Sequence, residues 1–270
     1  MKMPAKKRII AYGEKILVIS FWLLLWELLS RHIGQAIILP SPLMAAEALF
    51  GMCFMAEFWL AILFSSLRII GGFALAVATG IILAVLAYNF YIIKLLITPL
   101  MKLANAMPVA SFIILALIWI KSKNLSVLTS FMMVMPIIYA NIYQGLAAAD
   151  EKLLQMAVVF RISRWRRIKA IYLPAIVPHF VAAISVGVGL CWKAGIAAEV
   201  IGIPSGSIGQ RLYEAKIYLM TKELFAWTTV IIIISIVFEK IVMWIIKKIS
   251  KKPSQGGSNG YTANQPHKEF

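Results

Sequence analysis

Side chains that could carry out chemistry are few in this sequence, and they do not cluster. The three histidines, His32, His179 and His267, are far apart and form no H-x-x-x-H pattern, and the 11 acidic residues are scattered without the spacing of paired catalytic carboxylates. The sequence contains no G-x-x-x-x-G-K-[ST] segment with which a P-loop hydrolyses ATP. The two cysteines, Cys53 and Cys191, lack the spacing of a disulfide framework or a zinc site. We therefore predict no catalytic residue, no metal site and no cofactor on this chain.

One ionisable side chain stands out because its surroundings are apolar. Lys193 interrupts the apolar segment 176–198, and a lysine at the bilayer centre costs about 2.5–3.5 kcal/mol on insertion scales. Such a residue usually faces the bundle interior or a water-filled path. Ser185 and Gly189 precede it at helical spacing. We predict that these three residues, with Glu199, line a translocation path whose positive charge favours an anionic solute. The alternative is a structural lysine that snorkels or pairs with Glu199 or with another helix.

Small residues also recur every four positions along the same segment. They are Ala183, Gly187, Cys191 and Gly195. Side chains of this size allow a second helix to approach closely in a membrane. The pattern predicts a packing face on this helix, separate from the face that carries Lys193.

The elements that must position these residues are membrane-spanning helices. The chain is 61% apolar and 14% charged, with a mean hydropathy of +0.87, whereas a soluble domain is about 45–50% apolar. A bilayer crossing needs about 20 mostly apolar helical residues. We predict an all-α integral membrane protein with about six transmembrane helices, at residues 16–30, 60–88, 104–120, 125–143, 176–198 and 224–246.

The distribution of basic residues predicts how these helices are oriented. The chain has 27 Lys and Arg against 11 Asp and Glu. Six crossings place both termini on one side, and that side holds 18 of the basic residues while the other holds 6. Because cytoplasmic loops are enriched in Lys and Arg, we predict a multi-pass protein of the cell (inner) membrane with both termini in the cytoplasm. The basic excess then reflects the orientation of the chain in the lipid bilayer rather than binding of nucleic acid.

This topology divides the chain into three parts. Residues 1–15 form a cytoplasmic N-terminus, and the first span reads as an uncleaved anchor because no A-x-A-like cleavage site follows it. Residues 16–248 form a polytopic domain with one sizeable cytoplasmic loop, 145–178. Residues 249–270 are polar and rich in Gly, Ser and Asn, which predicts a disordered cytoplasmic tail.

The loop 145–178 contains two amphipathic segments. Asp150 is a plausible N-cap for a helix that ends near Phe160. Ser163 is a plausible cap for a second helix, 164–172, which should end near Pro174. The pair could be a knob gripped by a soluble partner, or a membrane-surface pair whose basic residues face anionic lipid. Spacing alone favours neither.

The loop resembles a known motif. Gln155-Met-Ala157, Arg161 and Ile171-Tyr-Leu173-Pro174 fit the frame of the "EAA" loop, E-A-A-x3-G-x9-I-x-L-P, of permease subunits in binding-protein-dependent ABC importers. The chain departs from that pattern at Gln155 for Glu, at Met156 for Ala and at Arg161 for Gly. Glycine normally supplies φ > 0 at such a bend.

Other segments resemble the nitrate/sulfonate/taurine branch of the same family. They are Leu39-Pro-Ser-Pro42, Ser66-Leu-Arg68-Ile-Ile-Gly71-Gly-Phe73, Ser163-Arg-Trp-Arg166, Gly189-Leu-Cys-Trp192 and Ala198-Glu199-Val-Ile-Gly202. The resemblance implies a six-helix permease that works in pairs, most simply as a homodimer, with an external substrate-binding protein and ABC ATPase subunits that hold ATP and Mg²⁺. It implies that the loop is a coupling helix whose ATPase-coupling residues are Leu153, Leu154, Gln155, Ala157, Arg161, Arg164, Arg166, Ile171, Leu173 and Pro174.

Two alternatives to this function are a transporter without an ATPase and a path for metal ions. A six-span secondary carrier or channel without an ATPase partner would have the same composition. The methionines of the fourth span, Met132, Met133 and Met135, read as adaptable packing rather than as a metal path, because no thiolate or imidazole lies near them in sequence.

Overall fold

A computed structural model describes residues 5–250, and these residues fold into helices. The helices, in chain order, are α1 (Ala5–Ile33), α2 (Pro42–Cys53), α3 (Ala56–Asn89), α4 (Tyr91–Ala106), α5 (Val109–Ala116), α6 (Ser122–Ala147), α7 (Glu151–Val159), α8 (Arg164–Arg167), α9 (Leu173–Gly202), α10 (Ile208–Ile217) and α11 (Thr221–Ser250). The all-α prediction is confirmed for this part of the chain. The predicted tail lies outside the described residues from position 251 on.

Within residues 5–250, five helices are long and apolar enough to cross a membrane: α1, α3, α6, α9 and α11. They confirm five of the six predicted spans, each with wider bounds. The remaining span, 104–120, was wrong as a single straight helix. The chain forms α4 and α5 there, which meet at an angle of 104°. Met107 is extended (φ −72°, ψ 127°) and Pro108 is the N-cap of α5, because the ring of a proline disfavours helical geometry in the residue before it.

The bent pair α4–α5 nevertheless carries the chain from one end of the bundle to the other. The Tyr88 ring of α3 lies 6.3 Å from that of Tyr143 and 6.1 Å from that of Tyr172, which marks one end. Ile113 of α5 packs with Leu125 and Ala198 at the opposite end. We call the end with Tyr88, Tyr143 and Tyr172 the loop end, and the end with Ile113, Leu125 and Ala198 the α10 end. Since α3 finishes at the loop end and α6 starts at the α10 end, the pair completes a sixth crossing.

The centre of the bundle is built by α3, α6 and α9, which approach closely at glycines. A Cβ atom on Gly195 of α9 would lie 2.6 Å from Ile69 Cγ1 and 2.8 Å from Ser130 Oγ. One on Gly72 of α3 would lie 2.4 Å from the Val127 carbonyl oxygen. The predicted small-residue face of α9 is confirmed, because all four of its members are buried: Ala183, Gly187, Cys191 and Gly195.

The outer helices pack around this centre. In α1, the indole N–H of Trp26 donates to the Pro40 carbonyl at 3.0 Å, and its ring lies 5.5 Å from that of Phe225 near the start of α11. Glu27, an acid within the first span, forms an ion pair with Arg31 at 2.8 Å one turn later. Because Trp26 and Phe225 meet near the α10 end, the beginning of α1 and the end of α11 extend toward the loop end.

Candidate functional site

The loop 145–178, which lies at the loop end of the bundle, begins with a capped helix. The Asp150 carboxylate accepts a hydrogen bond from the backbone N–H of Lys152 at 2.8 Å, and α7 follows it. Such a cap satisfies one of the free amides in the first turn of a helix. The prediction of Asp150 as an N-cap is confirmed. Ser163 precedes α8 as predicted, but its side chain makes no capping hydrogen bond.

The bend after α7 has a left-handed residue at its centre. Arg161 has a φ of 51°, and the N–H of Ile162 donates to the Ala157 carbonyl at 2.9 Å. This is the hydrogen-bonding pattern that glycine commonly closes at the end of a helix. The loop therefore keeps the bend although arginine stands where the family pattern has glycine.

The second loop helix does not end at Pro174, contrary to the prediction. A π turn, Ile168–Tyr172, joins α8 to α9, and the N–H of Leu173 donates to the Ile168 carbonyl. A proline in a helix lacks its own N–H and crowds the carbonyl four residues earlier. The wider π turn accommodates this, so helical structure continues into the membrane span.

One of the ten predicted ATPase-coupling residues does not lie on the surface of the loop. Ala157 is 0% exposed, so its side chain packs inside this chain and is not available for direct contact with an ATPase, and its role in coupling stays a prediction. Leu153, Gln155, Arg161, Arg164, Arg166, Leu173 and Pro174 are exposed, while Leu154 and Ile171 are half-buried.

Sequence reasoning missed the most exposed apolar side chains of the loop. Val159 is 77%, Phe160 71% and Trp165 75% exposed. They flank the left-handed bend, where a helical wheel drawn through α7 alone does not place them together. Large aromatic groups beside arginines are typical of the centre of protein interfaces.

The predicted path residues on α9 fall on two different faces. Lys193 and Ser185 are exposed and Gly189 is half-buried, on the side of α9 away from the bundle centre. Glu199 is 0% exposed. Glu199 therefore does not share the exposed face of Lys193, and the two residues form no ion pair; a role of Glu199 in the path stays a prediction.

Glu199 instead joins three helices at the α10 end. Its Oε2 atom accepts hydrogen bonds from Ser65 Oγ at 2.6 Å and from the backbone N–H of Gly209 at 3.3 Å. Ser65 Oγ in turn accepts the N–H of Ile208 at 2.9 Å. These bonds satisfy amides in the first turn of α10, so the carboxylate attaches α10 to α3 and α9.

A second ionisable residue of the membrane region was missed by the sequence reasoning. Glu239 of α11 accepts a hydrogen bond from Ser185 Oγ at 3.4 Å, so it lies beside the exposed side of α9. Its position within the predicted span 224–246 was the available signal, because an acid inside a span is rarely placed against lipid.

Among residues 5–250, no group of three or more His, Cys, Asp or Glu side chains could hold a metal ion.

Comparison with known proteins agrees with this architecture. The family described as binding-protein-dependent transport system inner membrane component matches residues 76–255. The chain belongs to this family. As one of its permeases, the protein is a multi-pass membrane component of an ABC importer and is not itself catalytic. The family assignment excludes the alternative of a secondary carrier or channel.

Individual relatives match nearly the whole permease. It is 23% identical over 255 residues to a putative aliphatic sulfonates transport permease, SsuC, of Bacillus subtilis, covering 93% of this chain and 91% of the relative. It is 26% identical to the nitrate import permease NrtB of Synechococcus elongatus, over 80% and 79% of the two chains. It is 22% identical to the taurine transport permease TauC of Escherichia coli, over 88% of each.

A solved structure shows the same fold. The permease matches a chain in the crystal structure of a bacterial ABC transporter involved in the import of the acidic polysaccharide alginate, with a TM-score of 0.54 and 14% identity. The match covers 93% of the permease and 98% of that chain.

Proposed function

We propose that the permease forms the translocation path for a small solute with an anionic group, of the sulfonate, taurine or nitrate type. The observation that supports an anionic group on the solute is Lys193, a basic residue exposed on α9 inside a membrane span. A fixed positive charge in a water-filled path lowers the energy of an anion there. Sulfonates, nitrate and taurine, which the names of the relatives mention, all carry a negatively charged oxygen group.

The proposed ATPase partner docks on the loop between α6 and α9. The exposed side chains of Phe160 and Trp165 supply apolar area, and Arg164 and Arg166 supply positive charge beside it. The loop continues without interruption into α9, so a movement of α8 would be transmitted to the helix that carries Lys193. ATP and Mg²⁺ bind to that partner and not to the permease.

The distribution of basic residues supports one orientation of the permease in the membrane. The loop end carries the basic loop, and six crossings return both terminal helices to that end. Since positive charge is retained on the cytoplasmic side, the loop end and both termini lie in the cytoplasm of a cell whose inner membrane holds the permease. The α10 end then faces the external binding protein, and a second copy of the permease completes the path as a homodimer.

The test of the solute class is uptake by the complete transporter, assembled from the permease with its ATPase and binding protein. Lys193→Met should reduce ATP-driven uptake of radiolabelled sulfonate at least tenfold, because it removes the charge and keeps the length of the side chain. Lys193→Arg is the matched control and should retain most of the uptake. Undiminished uptake by Lys193→Met would contradict the proposal.

A further inference from the structure

The exposed side of α9 is a continuous strip along the membrane region. It consists of Ala182, Ser185, Val186, Gly189 and Lys193, which are exposed or half-buried. These positions share one face at 100° per residue. The opposite face, which includes Gly187 and Cys191, is buried in the bundle. We call this set the α9 strip.

Glu239 of α11 extends the α9 strip with an acidic group. The residue lies within the candidate span Thr221–Ile246, it is half-buried, and its Oε1 atom accepts a hydrogen bond from Ser185 Oγ at 3.4 Å. Among the described residues Glu239 has no ion-pair partner within 4.0 Å. One weak hydrogen bond does not satisfy a carboxylate, which can accept about four.

The two charges occupy different depths. Ser185, which marks the level of Glu239, is eight residues from Lys193, so the two levels differ by about 12 Å along α9. Lys193 is nearer the α10 end and Glu239 is nearer the loop end. A solute that moves from the α10 end to the loop end would pass the cation first and the carboxylate second.

Lipid is an unfavourable neighbour for this surface. An exposed lysine and an incompletely bonded carboxylate on one side of two adjacent spans would both contact hydrocarbon, although ionisable residues in spans almost always face the bundle interior or water. The proposed path on the side of Lys193 removes the conflict for both residues at once.

We propose that Glu239 lines the same water-filled path as Lys193 and makes its loop-end half electronegative. This inference rests on the proposed function, since it uses the path that Lys193 defines. Glu239 acts as a specificity-determining residue: within the proposed class of solutes, its field disfavours those whose only charge is negative and favours those, such as taurine, that also carry a cationic group.

The test measures access and electrostatic potential with thiol reagents, in membranes that contain the complete transporter. In a background with Cys53→Ala and Cys191→Ala, a single cysteine is introduced by Ser185→Cys, Gly189→Cys or Ile241→Cys. The first two probe the α9 strip beside Glu239 and Lys193. Ile241 is 51% exposed on the opposite side of α11 from Glu239 and is the matched control, which we expect to face lipid.

Each thiol is reacted with an anionic and a cationic methanethiosulfonate of similar size. We expect the thiol at position 185 to react at least tenfold faster than the control at position 241. The ratio of cationic to anionic rates at position 185 should fall at least fivefold when Glu239→Gln is added. A shift in the thiol's own ionisation affects both rates equally and cancels in this ratio, so a purely structural role of Glu239 would leave the ratio unchanged.

The outcomes separate the two proposals. If position 189 reacts rapidly and position 185 does not, the path near Lys193 stands and the role of Glu239 is overturned. Rapid reaction at position 185 with a ratio that Glu239→Gln does not alter also overturns it. If both strip positions react as slowly as position 241, the proposed path itself fails.

Discussion

At the scale of single residues, the structure shows how the loop tolerates its departure from the family pattern. Arg161 occupies the bend with a φ of 51°, a conformation that costs a non-glycine residue about 1–2 kcal/mol. The hydrogen bond from Ile162 to Ala157 and the burial of Ala157 hold the bend in place. The arginine remains exposed, so the conformation places a positive charge at the tip of the loop.

Replacing this arginine tests the cost of the bend. Arg161→Gly should stabilise the loop by up to about 1 kcal/mol, because glycine adopts positive φ without steric strain. Hydrogen–deuterium exchange of the α7 amides should slow by as much as about fivefold. Arg166→Gly, in the helical geometry of α8, is the control and should accelerate exchange in the loop. Faster exchange in Arg161→Gly would show that the bend is not strained.

At the scale of elements, α9 has a buried face and an exposed face, and each contains small residues. Its buried face allows α3 and α6 to approach, and its exposed strip carries Ser185, Gly189 and Lys193. Two glycines six residues apart therefore have opposite environments. Gly195 has Ile69 and Ser130 against it, whereas a Cβ on Gly189 would meet nothing within 4 Å.

This difference predicts opposite effects of the same substitution. Gly195→Ala should destabilise the permease by about 1–3 kcal/mol, because its methyl group would overlap Ile69 in a packed core. Gly189→Ala should be neutral or stabilising by up to about 1 kcal/mol, since alanine is the better helix former. Thermal unfolding of both variants in the same detergent measures the difference. Equal midpoints would contradict the assignment of the two faces.

At the scale of the whole molecule, the permease connects a surface at the loop end with charged residues inside the membrane. The loop enters α9 through a π turn at Ile168–Tyr172, and α9 carries Lys193 about 30 Å farther along its axis. At the far end Glu199 ties α9 to α10. One continuous helix therefore connects the proposed ATPase site, the proposed path and the α10 end.

The proposed docking site can be tested through the assembled complex. Phe160→Asp should reduce co-purification of the ATPase subunit with the permease at least tenfold, because it places a charge where an aromatic anchor is proposed. Tyr218→Asp is the matched control, since Tyr218 is an equally exposed aromatic residue near the α10 end (72% against 71%). Undiminished co-purification in Phe160→Asp would overturn docking through the bend.

The sequence by itself determined the membrane class, the basic loop, the small-residue face of α9 and the anomaly of Lys193. These follow from composition, from charge and from helical periodicity, which are local properties of the chain. Only the tertiary structure decided that the third crossing is bent at Pro108, that Ala157 and Glu199 are buried, and that Glu239 belongs beside Ser185. The burial of Ala157 and Glu199 and the position of Glu239 depend on which distant segment packs against a given face, and periodicity within one helix does not specify its neighbour. The bend has a local cause in Pro108, but α6 continues through Pro136, so a proline inside a span does not by itself decide whether the helix breaks.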